Sequence, residues 1–276
     1  MVVILIIVAV VLLGIYLYYE NTTLQITKHI VTNNKIPDGF REYKIAHISD
    51  FHNTKSEKLT NNLVKNIQKS NPNIIVITGD TIDSRRTRID IAFNFVKQLV
   101  KITDVYYIPG NHESRIEEYE AFKESLLSIG VNILENDTII LTENGESINL
   151  LGIKDPAFYY EYSVEDTEII KKELEELKYN KELYTILLSH RPEVFDTYVE
   201  QDIDLVFTGH AHGGQIRLPL IGGVIAPVQG FFPKFTEGIH KKNNTTMIIS
   251  RGIGNSLFPF RVNNRPELLI VELKNK

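Results

Sequence analysis

Residues 203–215 read IDLVFTGHAHGGQ, and this stretch decides how the rest of the chain is interpreted. Its apolar first part, residues 203–207, predicts a buried strand. Side chains two apart on an extended segment point the same way, so we expect His210 and His212 to face one pocket. The glycines that follow let the backbone turn sharply and pass close to whatever the histidines hold. Two histidines alone are equally typical of a polar strand end, so the upstream sequence has to decide.

Four earlier apolar runs also end in side chains that can bind a metal ion. The runs cover residues 45–49, 74–78, 105–108 and 183–188, and they are followed by Asp50 with His52, Asp80, Asn111 and His190. Active sites of layered α/β folds collect outside the carboxyl ends of strands. Seven oxygen and nitrogen ligands are too many for one tetrahedral ion, and they favour two ions about 3.5–4 Å apart.

The same residues resemble the motifs of the calcineurin-like metallophosphoesterase superfamily. The motifs are D-x-H at 50–52, G-D-x-x-D at 79–83, G-N-H-E at 110–113, His190, and G-H-x-H at 209–212. The resemblance extends from about residue 43 to the C-terminus. GGQIRLP at 213–219 and SRG at 250–252 are similar to a bacterial branch that often has an N-terminal membrane segment.

The resemblance implies a role for each of these residues. Asp50, His52 and His212 would hold one divalent metal ion, Asn111, His190 and His210 would hold a second, and Asp80 would bridge both. A metal-activated water would attack phosphorus. His112 would be the catalytic histidine at the leaving oxygen, oriented by Asp83. The identity of the two ions stays open among Mn, Fe, Zn and Co, because Asp, His and Asn ligands accept each of them.

Composition restricts the classes of function. The chain has 276 residues, 43% of them hydrophobic, and a formal net charge of −5. This acidic balance predicts no nucleic-acid partner, since such proteins usually present a basic face. There is no cysteine, which excludes disulfides, thiolate ligands and a cysteine nucleophile.

The N-terminus predicts a membrane anchor. Residues 2–19 carry no charge and are long enough to span a bilayer, and the run ends in tyrosines that favour the membrane interface. A cleaved signal peptide is the alternative, but there is no basic region before the run and no cleavage motif after it. We expect a single-pass protein of the cell membrane with an anchor at 1–19, a polar tether at 20–40 and a catalytic domain at 41–276. Basic residues after the span weakly favour a cytoplasmic domain, and the orientation is left open.

The predicted fold class is α/β. Strands and helical stretches (57–70, 89–102, 116–129 and 164–178) alternate, which favours a layered arrangement. The resemblance implies a four-layer α/β/β/α sandwich of two mixed sheets, the metallo-dependent phosphatase fold, preceded by one transmembrane helix. Short runs at 131–134, 138–141 and 148–153 predict antiparallel pairing in the middle of the chain.

Two further features are weaker candidates for substrate contacts. Arg85 and Arg191 lie near the motifs, and guanidinium groups suit phosphate oxygens, although surface arginines are an equal alternative. The loop 218–235 is apolar for a connector. One hypothesis is that it forms a wall of the substrate cleft near the bilayer and admits lipid-linked substrates; the alternative is a loop packed on its own domain.

The sequence therefore predicts a membrane-anchored, dinuclear metal-dependent phosphoesterase that hydrolyses phosphoester or pyrophosphate bonds, including those of lipid-linked substrates. A membrane-tethered, metal-binding protein of the same fold without turnover is the alternative. A metalloamidase is disfavoured, because the chain lacks an H-x-H-x-D-H cluster.

Overall fold

The computed structural model describes residues 1–159, 165–255, 258 and 260–276. Within these residues there are six α-helices: α1 (Val2–Thr22), α2 (Glu57–Ser70), α3 (Ile89–Leu99), α4 (Tyr119–Ser128), α5 (Asp166–Glu176) and α6 (Phe195–Glu200). The strands in the same part of the chain are β1 (Gln25–Thr32), β2 (Lys44–Ile48), β3 (Ile74–Thr78), β4 (Val105–Ile108), β5 (Asn132–Ile133), β6 (Asp137–Glu143), β7 (Glu146–Gly152), β8 (Thr185–Leu188), β9 (Leu205–Thr208), β10 (Arg217–Leu218), β11 (Gly222–Gly223), β12 (Ile225–Ala226), β13 (Gly230–Phe231), β14 (Gly238–Lys242), β15 (Thr245–Ile249) and β16 (Glu267–Lys274).

Most of the strands form two six-stranded mixed sheets. The first has the order β1-β16-β2-β3-β4-β5, and the second has the order β14-β15-β9-β8-β7-β6. In the first sheet β2 to β5 are parallel and β16 runs antiparallel to β2. In the second sheet β7, β8, β9 and β15 are parallel, and β6 and β14 are antiparallel to their neighbours. The carboxyl ends of β2–β4 and of β8 and β9 carry the predicted ligands.

Three apolar layers hold the sheets and helices together. Alternate residues of β3 face opposite ways, with Val76 packed between the sheets and Ile75 and Ile77 packed under the helices of the first sheet. A third cluster joins the outer face of the second sheet to α5 and α6 through side chains such as Ile170 and Tyr198. The molecule is thus an α/β/β/α sandwich, and the predicted fold class is confirmed.

The predicted antiparallel pairing of the runs at 138–141 and 148–153 is present as β6 and β7, whereas the tether and the run at 131–134 differ from the predictions. Residues Gln25–Thr32, predicted as a tether, form the edge strand β1, which pairs in parallel with β16. The local sequence did not indicate this strand, because the backbone N–H and C=O groups of β1 find their hydrogen-bond partners in β16, which is distant in the chain. The run at 131–134 contributes β5, which pairs in parallel with β4 and not with its neighbours in sequence. The predicted helix at 164–178 is α5; its first residue, Val164, lies outside the described residues.

Helix α1 is long and apolar enough to cross a membrane, and no part of its most apolar stretch is buried by the protein. Its C-terminal turns contact the segment before β16. The Tyr16 hydroxyl lies 2.8 Å from Asn263 Oδ1, and the Glu20 carboxylate accepts the Asn264 N–H at 2.7 Å. The helix therefore leaves the domain at a defined place.

Candidate metal centre

The seven predicted ligands all lie at the carboxyl ends of the central strands and are buried. They are Asp50 and His52 after β2, Asp80 after β3, Asn111 after β4, His190 after β8, and His210 and His212 after β9. The two sheets meet at this edge, because the His190 ring lies 2.7 Å from the Thr78 carbonyl at the end of β3. The structure thus brings residues from five strands into one centre.

The first group of donor atoms surrounds the end of β2. His212 Nε2 lies 3.1 Å from His52 Nε2 and 3.2 Å from Asp50 Oδ1. Asp80 Oδ2 lies 3.7 Å from His52 Nε2. Asp50, His52 and His212 each place one donor atom within 4.8 Å of the other two.

The second group lies around His190. The Nε2 atom of His190 is 3.2 Å from each of three neighbours: Asp80 Oδ2, Asn111 Oδ1 and His210 Nδ1. Asp80 Oδ2 therefore belongs to both groups. This single carboxylate thus lies between two sets of nitrogen and oxygen donors.

The donor set fits divalent metal ions. Donor atoms about 2.1 Å from one ion lie roughly 3.0–3.5 Å from one another, and the closest donor pairs within each group are 3.1–3.2 Å apart. Asp50 Oδ1 is buried and has no hydrogen-bond partner among the described residues, as a ligand atom would. Both groups contain only nitrogen and oxygen atoms, which suit Mn, Fe, Zn and Co alike.

The electrostatics of the centre also suit cations. Burial and the charge of His212 lower the pKa of His52 to about 3, so its ring is neutral and free to coordinate. Although burial alone lowers it, the Asp80 carboxylate raises the pKa of His190 to about 10. Burial raises the pKa of Asp80, but the charges of His190, His112 and His52 together with the hydrogen bond from His190 outweigh burial and hold this pKa well below its usual value. The buried carboxylates that stabilise positive charge at His190 also attract divalent cations.

His112 lies at the mouth of the centre, beside a cavity of about 350 Å³. Its Nδ1 atom accepts the Ser84 N–H at 3.0 Å, whereas Asp83 Oδ1 is 3.5 Å away. Asp83 instead accepts the Arg85 guanidinium at 2.8 Å. Ser84 is thus the closer partner of His112 Nδ1, and Asp83 lies within ion-pair distance of the same atom. Burial lowers the pKa of His112, but the Asp80 and Asp83 carboxylates raise it above its usual value. When the ring is neutral and accepts the Ser84 N–H at Nδ1, its proton is on Nε2.

Arginines line the same cavity, and the sequence indicated two of them, Arg85 and Arg191, as candidates for substrate contacts. Arg191 is almost fully buried and makes a bidentate ion pair with Asp155. Its remaining nitrogen, Nη1, lies 3.2 Å from His210 Nε2. Arg85 and Arg115 also line the cavity. Arg115 was missed by the sequence analysis, although it lies only three residues after His112 in the turn that follows the G-N-H-E motif.

Glu113 is a second residue whose importance the sequence did not show. It stands in the G-N-H-E motif without an assigned role, and it is fully buried. Its carboxylate accepts the N–H groups of Asp80, Gly110 and Ile82 at 2.8–3.0 Å. The side chain thus ties the loop after β3 to the loop after β4. The only signal in the sequence was its place in the motif.

The HAH pair at 210–212 does not lie on an extended segment as predicted. β9 ends at Thr208, and both histidines have left-handed backbone with φ of 64° and 47°. The pair therefore divides, with His210 in the second group of donors and His212 in the first. Both still line the same cavity.

Comparisons with known proteins agree with this geometry. The family model described as calcineurin-like phosphoesterase matches residues 43–214. The chain is 28% identical over 267 residues to the metallophosphoesterase YkuE of Bacillus subtilis (strain 168), covering 94% of this chain and 88% of the relative. It is 25% identical over 247 residues to the phosphodiesterase YaeI of Escherichia coli (strain K12), covering 86% and 84%. It is also 28% identical over 250 residues to a transmembrane protein with metallophosphoesterase domain from Danio rerio, covering 87% of this chain and 55% of the relative. On the extent of the family match and the buried centre at the strand ends, the chain belongs to the calcineurin-like phosphoesterase family.

Proposed function

We propose that this protein is a membrane-anchored, dinuclear metal-dependent phosphoesterase. The observation that carries the proposal is the position of Asp80 Oδ2 between two groups of buried donor atoms. Asp50, His52 and His212 would hold one ion, and Asn111, His190 and His210 would hold the other. When bound, two divalent ions supply charge stabilisation at a phosphate and lower the pKa of a water to near neutrality.

The residues around the ions have separate tasks. His112 Nε2 would donate its proton to the leaving oxygen, because Nδ1 is occupied by the Ser84 N–H. Arg85 and Arg115 line the cavity and would orient the phosphate oxygens through their guanidinium groups. Arg191 is held by its ion pair with Asp155 and would orient the His210 ring through its contact with His210 Nε2.

A second cavity supports an amphiphilic substrate. It has a volume of about 590 Å³, within the range typical of small-molecule sites. Apolar side chains line most of it, including Ile216, Val224 and Phe231, and it shares His212 and Pro227 with the cavity at the metal centre. A phosphoester or pyrophosphate with a hydrocarbon chain could place its phosphate at the metal centre and its chain here, as a lipid-linked substrate requires.

Helix α1 supports anchoring in the cell membrane. Its apolar stretch is exposed on all sides, which costs free energy in water but not in a bilayer. Tyr18 and Tyr19 lie at its end, where aromatic rings favour the membrane interface.

The test is hydrolysis by the full chain with Mn²⁺, using para-nitrophenyl phosphate and bis(para-nitrophenyl) phosphate. We expect turnover that a chelator removes, and the preferred ester distinguishes monoester from diester chemistry. Asp80→Asn should lower turnover by about 10²–10⁴-fold, since charge stabilisation by the ions is worth several kcal/mol. The matched control is Asp90→Asn, whose side chain is 58% exposed in a surface ion pair, and it should retain activity.

The proposal fails if the protein binds two ions and hydrolyses neither ester. That outcome would leave a metal-binding protein of the same fold without turnover. Turnover that survives both the chelator and Asp80→Asn would equally contradict the assigned centre.

A further inference from the structure

Large apolar side chains are exposed on the segments that carry or flank the lining of the two cavities: Phe231 and Phe258 line the apolar cavity, Val228 lines the cavity at the metal centre, and Leu220 and Ile221 lie between β10 and β11. We call Leu220, Ile221, Val228, Phe231 and Phe258 the apolar rim. Their exposure runs from 47% at Phe258 to 108% at Leu220. Scattered exposed apolar residues are common on soluble proteins, but a contiguous group marks an interaction surface.

The backbone of the rim is strained as well as exposed. Leu220 and Val228 have left-handed φ angles of 67° and 62°. This region is unfavourable for side chains other than glycine, and a β-branched residue there is a genuine outlier. Both side chains are exposed, so their burial does not offset the conformational cost, and the strain indicates that the exposed side chains have a function.

The rim is joined to the place where helix α1 leaves the domain. The Tyr16 hydroxyl contacts Asn263 Oδ1, and Asn263 Nδ2 donates to the Arg217 carbonyl at 3.0 Å. Arg217 begins the β10–β11 hairpin, which carries Leu220 at its tip. These two hydrogen bonds, both made by the Asn263 side chain, therefore connect the apolar helix to the hairpin that carries part of the rim.

The sheet topology places the helix and the metal centre at the same end of the molecule. β16 runs antiparallel to β2, so the start of β16 lies beside the end of β2, where Asp50 is located. β1 is parallel to β16 and begins at this end, directly after α1. A membrane crossed by α1 would therefore lie on the side of the domain where the centre opens.

We propose that the apolar rim is a second membrane contact, which docks into the interfacial region of the bilayer that α1 crosses. The inference rests on the proposed anchoring. A bilayer is favoured as the occupant because the rim adjoins a helix that is apolar all round and has Tyr19 beside Arg265 at its end, with the guanidinium 5.5 Å from the ring. Phe231 and Phe258 belong both to the rim and to the lining of the apolar cavity. Docking thus opens that cavity to the lipid phase, and a chain-bearing substrate enters from the bilayer.

The chain has no tryptophan, so a single introduced tryptophan reports on one position. The full chain is reconstituted in phosphatidylcholine nanodiscs, with and without bromine on the lipid acyl chains, and tryptophan emission is measured. Leu220→Trp places the probe in the rim. Val8→Trp places it in α1 as the control for anchoring. Leu127→Trp is the matched control in the domain; Leu127 is 51% exposed near the end of α4, just before β5 begins at the opposite end of the sheet.

We expect brominated lipid to quench the emission of Leu220→Trp and Val8→Trp and to leave that of Leu127→Trp unchanged. Quenching of Val8→Trp alone would overturn the inference and leave the anchor intact. Loss of quenching in both would contradict the anchoring itself. A blue-shifted, unquenched emission of Leu220→Trp that depends on protein concentration would assign the rim to a second protein copy and also overturn the inference. Ile221→Trp serves as a second probe, and circular dichroism checks that each variant is folded.

Discussion

At the scale of single residues, the metal centre is built on unusual backbone. Five of the seven candidate ligands have left-handed φ angles between 47° and 64°: Asp50, His52, Asp80, His210 and His212. Such conformations cost of order 1–3 kcal/mol each and persist only where the surroundings enforce them. Two glycines permit the close approach. A Cβ at Gly209 would meet Ser49 Oγ at 1.8 Å, and one at Gly79 would meet the Gly110 nitrogen at 2.5 Å. The strain turns the ligands inward from strand ends that would otherwise splay apart.

Glu113 is the residue that most directly holds two of these loops together. Burial, followed by the charge of Asp80, raises the pKa of Glu113 to about 7. We expect Glu113→Gln to weaken Mn²⁺ binding by about 10–100-fold, as is typical when a group that orients a metal ligand is lost. An amide keeps one acceptor oxygen and presents a donor to backbone N–H groups, so a buried donor is left unpaired at a cost of about 1–3 kcal/mol.

Titration calorimetry with Mn²⁺ measures this change. The control is Glu117→Gln, on an exposed residue of the same segment, which should bind as the unmodified chain does. Unchanged affinity in Glu113→Gln would show that the three hydrogen bonds do not position Asp80.

At the scale of elements, the loop after the metal centre is more ordered than its composition indicated. It contains two small antiparallel pairs, β10 with β11 and β12 with β13. The second pair sets Phe231 opposite Ile225, and both side chains line the apolar cavity. Phe232, the next residue, is not among the lining residues. The loop thus forms a wall of the apolar cavity, and Ile225 and Phe231 are among the side chains that form it.

The wall predicts a preference for esters with a hydrocarbon chain. We expect the full chain to favour para-nitrophenyl octyl phosphate over para-nitrophenyl methyl phosphate in kcat/KM, because each buried methylene contributes about 0.8 kcal/mol. Phe231→Ser should reduce the octyl-to-methyl ratio roughly tenfold, since losing part of the apolar contact costs about 1–2 kcal/mol. Phe260→Ser changes a ring that is exposed and outside the lining, and should keep the ratio. The same loss of ratio in both variants would rule out a specific chain site.

At the scale of the whole molecule, the apolar helix and the metal centre are physically connected. Asn264 donates its backbone N–H to Glu20 of α1, and its side chain donates to the carbonyls of His212 and Gln215 at 2.8 and 3.0 Å. One residue therefore joins the end of α1 to the backbone of a metal ligand. A fragment without α1 loses the carboxylate that holds this residue in place.

We expect Asn264→Ala to weaken Mn²⁺ binding by about tenfold or more, because the loop that carries His212 loses two hydrogen bonds to its backbone. Asn263→Ala is the matched control. It removes an exposed neighbour that touches α1 but does not contact His212, so Mn²⁺ affinity should remain. The measurement is again calorimetric titration of the full chain. Equal Mn²⁺ affinity in Asn264→Ala and the unmodified chain would show that the contact of Asn264 with α1 and the His212 loop does not affect metal binding.

The sequence by itself determined the parts of this protein that depend on local pattern. Continuous apolar runs ended in Asp50, Asp80, Asn111, His190 and the HAH pair, and parallel strands of one sheet bring their ends to one edge whatever the details of packing. The 18-residue apolar run also stands out without any tertiary information. These signals were enough for a layered α/β fold and for the set of candidate ligands, whereas the four-layer α/β/β/α arrangement was implied by the family resemblance.

The tertiary structure alone decided what depends on distant partners. β1 is a strand because β16, more than 200 residues away, offers it a hydrogen-bonded edge. Glu113 is buried because the loops after β3 and β4 close over it, and the same approach of the two loops brings Ser84 to His112. The family resemblance implied the division of His210 and His212 between two groups, but the local pattern predicted an extended pair, and the left-handed backbone that separates them depends on the packing of the two sheets. Side-chain periodicity reports which face of an element is apolar, but it carries no information on which polar groups will meet when two sheets pack.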